Sequence, residues 1–263
     1  MDELENLTFA PEELSVIEER LEAIARRVER ITAEENVADS VGLALVRRGI
    51  GYWRALRVLA NGPSLPAMMV LLRQLDELLI LLIWIASDQK EHFLRWAAES
   101  ERGGKNLYDA IANGTNAGRK ARITAQLPPE RVAEMRANAA AGKSAATSAG
   151  EVRLMPSIEE MVVQSGDPIS REAYDLGYRS MSAWSHLHAG TFVPSAAGDN
   201  SFEDAPIPVV PWMCVAASIV AAVLFVGAVI GELPEASEIR SIRRKLLAPA
   251  PSSDDPARRD EAT

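Results

Sequence analysis

The residues of this chain best suited to chemistry lie close together in its C-terminal half. Tyr178, Ser182 and His186 are spaced four residues apart, so in a helix they lie on one face. Arg179 precedes His186 by seven residues, which is two helical turns, and therefore shares that side. His188 is turned about 200° away from His186 on a helix, so the two imidazoles cannot ligate one metal ion together. The pattern therefore predicts no metal site and no cofactor.

An arginine and a histidine on one helical face can do chemistry without a metal. The imidazole can accept or donate a proton near neutral pH, and the guanidinium can hold a phosphate through two hydrogen bonds and offset developing negative charge. Together they suit attack of a ribose 2′-hydroxyl on its own phosphodiester. We therefore interpret His186 as a candidate acid/base catalyst, Arg179 as a candidate phosphate clamp and RNA as a candidate partner.

The Arg179-x6-His186 spacing resembles the Arg-x(4–6)-His motif of the HEPN (higher eukaryotes and prokaryotes nucleotide-binding) superfamily. The resemblance implies an all-α domain and a metal-independent RNA endonuclease of the toxin or phage-defence type. It also implies a homodimer, because such sites are usually completed at a dimer interface. One position departs from the superfamily's usual form, since Ser180 follows the arginine where Asn, Asp or His is common.

A wider pattern resembles an uncharacterised bacterial all-helical family, in which a Tyr-x-x-Leu-Ser-x-x-x-His element recurs. This likeness spans about residues 40–232. The matching residues are Arg73-x-x-x-Glu77 in an apolar helix and, farther along, Tyr178-Arg179-x-Met181-Ser182-x-x-x-His186.

The same residues also permit an architectural interpretation. A ladder of Tyr178, Ser182 and His186 can form a buried hydrogen-bond network that joins helices, because buried polar groups need partners. Arg73 and Glu77 stand one helical turn apart and can form an internal ion pair. Alternatively, Glu77 could orient His186 or Arg73 could contact a phosphate, and Asp76 could substitute for Glu77. The spacing does not choose between a ribonuclease and a non-catalytic helical scaffold or interaction protein.

Nearly every periodic segment of the chain has a helical period, and no alternating strand pattern occurs. The sequence therefore predicts an all-α fold, a single helical bundle domain. We expect Gly103-Gly104 to end one helix, residues 142–150 to form a surface loop, and Ser157-x-x-Glu160 to form a capping box. The predicted helices cover about residues 11–36, 37–60, 65–86, 88–102, 128–141 and 209–230, with one starting at Asp167-Pro168 and a basic amphipathic one at 235–247.

The chain is predicted to comprise an acidic N-terminal helix (1–36), a helical bundle domain (37–247) and a disordered C-terminal tail (248–263). Its net charge is −9, but residues 1–40 hold twelve Asp/Glu against four Arg, so the rest is nearly neutral. Two basic clusters in that rest are candidates for phosphate contacts. They are Arg119, Lys120 and Arg122, and the run from Arg240 to Lys245. The negative net charge of the whole chain therefore does not exclude RNA as a partner.

The start of the sequence lacks the basic and apolar regions of a secretory signal, and the chain has one cysteine, which together favour the cytoplasm. Residues 209–230 are uncharged and long enough to cross a bilayer. Basic residues follow them, which suits a membrane-attached protein. A central helix of a soluble bundle has the same composition, and with one such segment we favour burial.

Overall fold

The structure, a computed structural model, describes residues 11–32, 37–60, 65–148, 155–178 and 209–246. These ranges are predominantly helical and contain no β-strand, so the predicted all-α fold is confirmed. The predicted tail, residues 248–263, lies outside the described residues. The α-helices are α1 (Pro11–Val28), α2 (Val37–Leu59), α3 (Leu65–Ser87), α4 (Gln89–Ala112), α5 (Ala117–Gln126), α6 (Pro129–Ser148), α7 (Ile158–Ser165), α8 (Pro168–Glu172), α9 (Val209–Ile230) and α10 (Ala236–Leu246).

The chain divides into two compact units. The first unit comprises Met1–Leu82 with Pro168–Thr263, and the second comprises Ile83–Asp167. The boundary between them falls within α3. The domain limits at residues 36 and 247 stay predictions.

The core of the first unit forms around α9, which packs against α1, α2 and α10. Gly227 lets α9 approach both α1 and α2 closely, because a Cβ atom there would lie 2.8 Å from Val28 Cγ1 and 2.9 Å from Val46 Cγ1. By length and composition, one described helix could cross a membrane, Trp212–Ile230, and 72% of it is buried. That burial accounts for its apolar composition through packing within the protein.

The acidic helix α1 belongs to the same core. Leu21, Ile24 and Val28 are completely or almost completely buried, which explains their three- and four-residue spacing. The helix ends at Val28, well before the predicted residue 36. The next amides close the turn with i→i−3 hydrogen bonds, from Arg30 N to Arg27 O at 3.0 Å and from Ile31 N to Val28 O at 3.1 Å. Residues 33–36 lie outside the described residues.

In the second unit, α4 and α6 pack closely together and α5 packs on α4. The expected helix end at Gly103-Gly104 is wrong, since α4 continues to Ala112. A Cβ on Gly104 would lie 3.3 Å from Met135 Sδ, so this glycine brings the two helices together. The expected loop at 142–150 is also wrong as far as Ser148, where α6 ends. Its alanines favour helix strongly enough to carry the helix past Gly142.

The predicted capping box is confirmed at the start of α7. Ser157 Oγ accepts a hydrogen bond from Glu160 N at 3.3 Å, and Glu160 Oε2 accepts one from Ser157 N at 2.6 Å. Gly166 ends α7 with φ at 61°, a conformation that glycine adopts without steric cost. After Asp167, α8 begins as predicted at Pro168, but it passes after one turn into a π-helix, Ala173–Tyr178.

Candidate functional site

The structure describes half of the predicted site residues. Tyr178, Arg73 and Glu77 are described and lie in the first unit. Arg179, Ser182 and His186 lie outside the described residues, so their predicted roles stay predictions. The described part of the site is formed by α3 and by the π-helix that ends one residue before Arg179.

Arg73 and Glu77 form the ion pair that their spacing predicts. Arg73 Nη2 lies 2.8 Å from Glu77 Oε1, and the two side chains are 15% and 26% exposed. Glu77 Oε2 also accepts a hydrogen bond from Gln74 Nε2 at 3.1 Å. Both carboxylate oxygens of Glu77 are therefore engaged by α3 itself, which fixes the carboxylate at the helix surface.

The guanidinium of Arg73 also contacts the second element of the predicted site. Its Cζ lies 5.4 Å from the centre of the Tyr178 ring, within range of a cation–π interaction. Tyr174 stacks on Tyr178 with ring centres 5.6 Å apart and an interplanar angle of 18°. Two sequence elements that lie 105 positions apart thus meet in the fold.

The backbone beside Tyr178 has an unusual form. Residues Ala173–Tyr178 make a π-helix, whose hydrogen bonds run from i to i+5. Short π-helical segments are rare and frequently occur at functional sites, because they shift the side chains that follow out of the α-helical register. Here the segment sets the orientation of Tyr178 against Arg73, and the chain then continues directly into Arg179.

Asp76 is the residue whose position the sequence did not reveal. Sequence reasoning considered it only as a substitute for Glu77, yet its side chain is completely buried. Neither carboxylate oxygen has a hydrogen-bond partner among the described residues. Burial raises the pKa of Asp76 well above its ordinary value, and the negative charge of Glu77 raises it further. A carboxyl group that favours its protonated form therefore lies on α3 between Arg73 and Glu77 in sequence.

A cleft of about 540 Å³ lies elsewhere in the first unit, where α1 meets α2. Two glutamates of α1 and two arginines of α2 line it and pair with one another. Arg54 Nη2 lies 2.7 Å from Glu22 Oε1, and Arg57 Nε lies 3.3 Å from Glu18 Oε2. Burial raises the pKa of Glu18 although the charge of Arg57 opposes that shift. Because these charges neutralise each other, we do not place the site in this cleft.

The single cysteine, Cys214, and a histidine outside the predicted site, His92, both lie in packed parts of the protein. Burial raises the pKa of Cys214 to about 11, and the charge of Glu18 adds to that effect, so the thiol stays protonated at neutral pH. His92, in the second unit, stacks on Trp84 at 4.0 Å, and its Nδ1 lies 2.6 Å from the Trp84 carbonyl oxygen. Trp84 Nε1 in turn donates to Gln164 Oε1 at 2.8 Å. Within the described ranges, no three His, Cys, Asp or Glu side chains group as metal ligands.

Comparison with protein families identifies one match. Residues 39–199, more than half of the chain, match DUF5677, a family of unknown function. The matched range includes α3, the π-helix and the Arg179–His186 segment. Comparisons with curated proteins and with solved structures found no significant match. The chain therefore belongs to DUF5677, an outcome consistent with the resemblance to an uncharacterised helical family.

Proposed function

We propose that this protein is a HEPN-like, metal-independent RNA endonuclease that acts as a homodimer in the cytoplasm. The single observation that carries the proposal is the contact between Arg73 and Tyr178. It joins a cation of α3 to the residue directly before Arg179, so the two elements of the sequence pattern are neighbours in one unit. Phosphodiester chemistry benefits from guanidinium groups near a histidine, and this is the arrangement that we propose for Arg73, Arg179 and His186.

In the proposed reaction, His186 accepts the proton of a ribose 2′-hydroxyl. The 2′-oxygen then forms a bond to the adjacent phosphorus, and the bond from phosphorus to the 5′-oxygen breaks. The leaving 5′-oxygen takes a proton from the imidazolium of His186. The proton that left the 2′-hydroxyl is thereby returned, and the products are a 2′,3′-cyclic phosphate and a 5′-hydroxyl. Arg179 binds the non-bridging oxygens and offsets their charge. Arg73, paired with Glu77, contacts the Tyr178 ring and acts as a positioning residue.

The decisive experiment is cleavage of single-stranded RNA in EDTA, with identification of the end groups. We expect the wild type to produce cyclic phosphate ends, and His186→Ala to lower the rate by about 10²–10⁴-fold. Arg179→Ala should have an effect of similar size. His188→Ala is the matched control, because it removes the neighbouring imidazole from the other side of the predicted helix and should leave the rate unchanged. Circular dichroism of each variant checks that it is folded.

A second candidate function is a non-catalytic helical scaffold or interaction protein. The observation that favours it is the pairing of Glu77 with both Arg73 and Gln74, which holds these side chains in structural contacts. If the folded wild type cuts no RNA, and His186→Ala and Arg179→Ala unfold the protein, this candidate replaces the nuclease. Sedimentation of the expressed protein with membranes would instead support attachment through residues 209–230.

A further inference from the structure

Helix α10 has two chemically different sides. Ile239, Ile242 and Leu246 are buried, and the helix packs against α9. The other side covers an arc of about 140° at the helical angle of 100° per residue. All five residues on that arc are exposed and carry either a cation or a hydroxyl group. They are Ser237, Arg240, Ser241, Arg244 and Lys245.

Two acidic residues at the start of α10 pair with the neighbouring helix α1. Glu235 and Glu238 pair with Arg27 and Arg20 of α1. Arg240, by contrast, extends over the Phe225 ring, with its Cζ 4.6 Å from the ring centre, and remains exposed. The charged residues on the outward arc of α10 are therefore all cations, even though the whole chain carries a net charge of −9.

Helix α10 is also tied to the candidate site. Arg243 Nη2 lies 3.1 Å from Glu172 Oε2, the last residue of α8. Glu172 directly precedes the π-helix Ala173–Tyr178 in the chain. The contact joins α10 to the helix that precedes the π-helix, and both belong to the first unit.

The chemistry of the arc distinguishes between two polyanions. An interfacial membrane helix needs a free apolar side to insert among the lipid headgroups, and the apolar side of α10 is already buried against α9. A phosphodiester backbone needs only arginine, lysine and serine donors, which are the groups that the arc presents. We propose that the outward arc of α10 (Ser237, Arg240, Ser241, Arg244 and Lys245) binds backbone phosphates of single-stranded RNA. The choice of RNA rests on the proposed function.

The test is the salt dependence of RNA binding by the full chain. The probe is a fluorescein-labelled 20-nucleotide oligouridine, and His186→Ala is the background so that the probe is not cut. The test variant adds Arg240→Gln, Arg244→Gln and Lys245→Gln. The control variant instead adds Arg30→Gln, Lys90→Gln and Lys143→Gln, three exposed cations from other elements, and so removes the same charge. Affinity is measured by anisotropy from 50 to 200 mM NaCl.

Each phosphate contact to a single strand contributes about −0.7 to the slope of log K against log salt. Loss of three contacts should therefore reduce the slope by about 2, so that over this salt range the background protein loses roughly 20-fold more affinity than the test variant. The control variant should keep the slope. An unchanged slope in the test variant, or an equal change in the control, overturns the proposal. Loss of binding to phosphatidylserine vesicles with no loss of RNA binding also overturns it.

These outcomes separate the arc from the nuclease. If wild-type protein cuts RNA but binding does not depend on α10, the proposed function stands and the arc proposal fails. If binding depends on α10 but the wild type leaves RNA intact, the arc proposal stands and the nuclease proposal fails.

Discussion

Helices α3 and α9 are nearly equal in length and are both mainly apolar, yet only α3 contains charged residues. α9 has 22 residues and none of them is charged. α3 has 23 residues and includes Arg73, Asp76 and Glu77 within one turn and a half. Both helices are largely buried. Transfer of apolar area from water therefore accounts for the buried residues of α9, while α3 includes groups whose burial opposes folding.

The difference indicates that the buried polar groups of α3 lower the stability of the first unit. Arg73 and Glu77 compensate one another, but Asp76 lacks a hydrogen-bond partner among the described residues. An unpartnered buried carboxyl lowers the free energy of unfolding, and leucine would fill such a position at no electrostatic cost. Residues whose native surroundings lower the stability of the fold are concentrated at functional sites. The comparison therefore favours α3, and not α9, as the functional helix of the first unit.

The largest effect is expected when a carboxyl is placed in α9. Val220 is completely buried, so Val220→Asp should lower the free energy of unfolding by more than about 4 kcal/mol, because the new charge has no partner. Val229→Asp is the control on the same helix, since Val229 is 54% exposed and its replacement should cost under about 1 kcal/mol. Urea unfolding measures both. Equal, small losses would mean that α9 is not the core of this unit.

A smaller effect of opposite sign is expected when the native carboxyl is removed from α3. Asn resembles protonated Asp, so Asp76→Asn and the wild type should be similarly stable near pH 4. The folded-state pKa of Asp76 is raised, so the folded wild type binds a proton that the unfolded chain releases, and its stability falls as pH rises from about 4 toward the folded pKa. The variant lacks this fall and should be more stable by about 1–3 kcal/mol at pH 8.

Urea unfolding between pH 4 and 8 measures this difference. Asp109→Asn provides a control of the opposite sign, because the hydrogen bond from Lys105 and the charges of Lys105 and Arg136 lower the pKa of Asp109. That variant should be less stable than the wild type by a nearly constant amount from pH 4 to 8, because the contribution of Asp109 is fully present above the unfolded pKa of about 3.9 and is lost only at lower pH. If Asp76→Asn shows no change with pH relative to the wild type, the buried carboxyl has a partner in solution.

The smallest effect is expected for the ion pair on α3. A double-mutant cycle with Arg73→Gln and Glu77→Gln should give a coupling of about 0.5–1 kcal/mol, because both side chains retain contact with water. The surface pair Arg102–Glu99, spaced three residues apart, is more exposed and should couple more weakly than Arg73–Glu77. A coupling above 3 kcal/mol would make Arg73–Glu77 a fully desolvated structural pair and would favour the scaffold candidate.

Local patterns predicted much of the helical structure well. α2, α3 and α9 begin and end within about a residue of the expected positions, because their apolar spacing and flanking Gly and Pro residues are local signals. The errors arose where a distant contact determined the outcome. Gly104 was expected to end α4, yet it provides space for Met135 of α6. No local pattern marks the π-helix at Ala173–Tyr178.

By itself, the sequence determined the all-α class through helical periodicity and the capping box at Ser157 through residues three positions apart. It offered the Arg73–Glu77 ion pair as one of several possibilities, and the structure shows that pair. Only the tertiary structure decided that Arg73 contacts Tyr178 and that Asp76 is buried without a hydrogen-bond partner among the described residues. The physical reason is that helical periodicity specifies which side chains share a face. Packing between helices far apart in sequence then decides which of those faces water can reach.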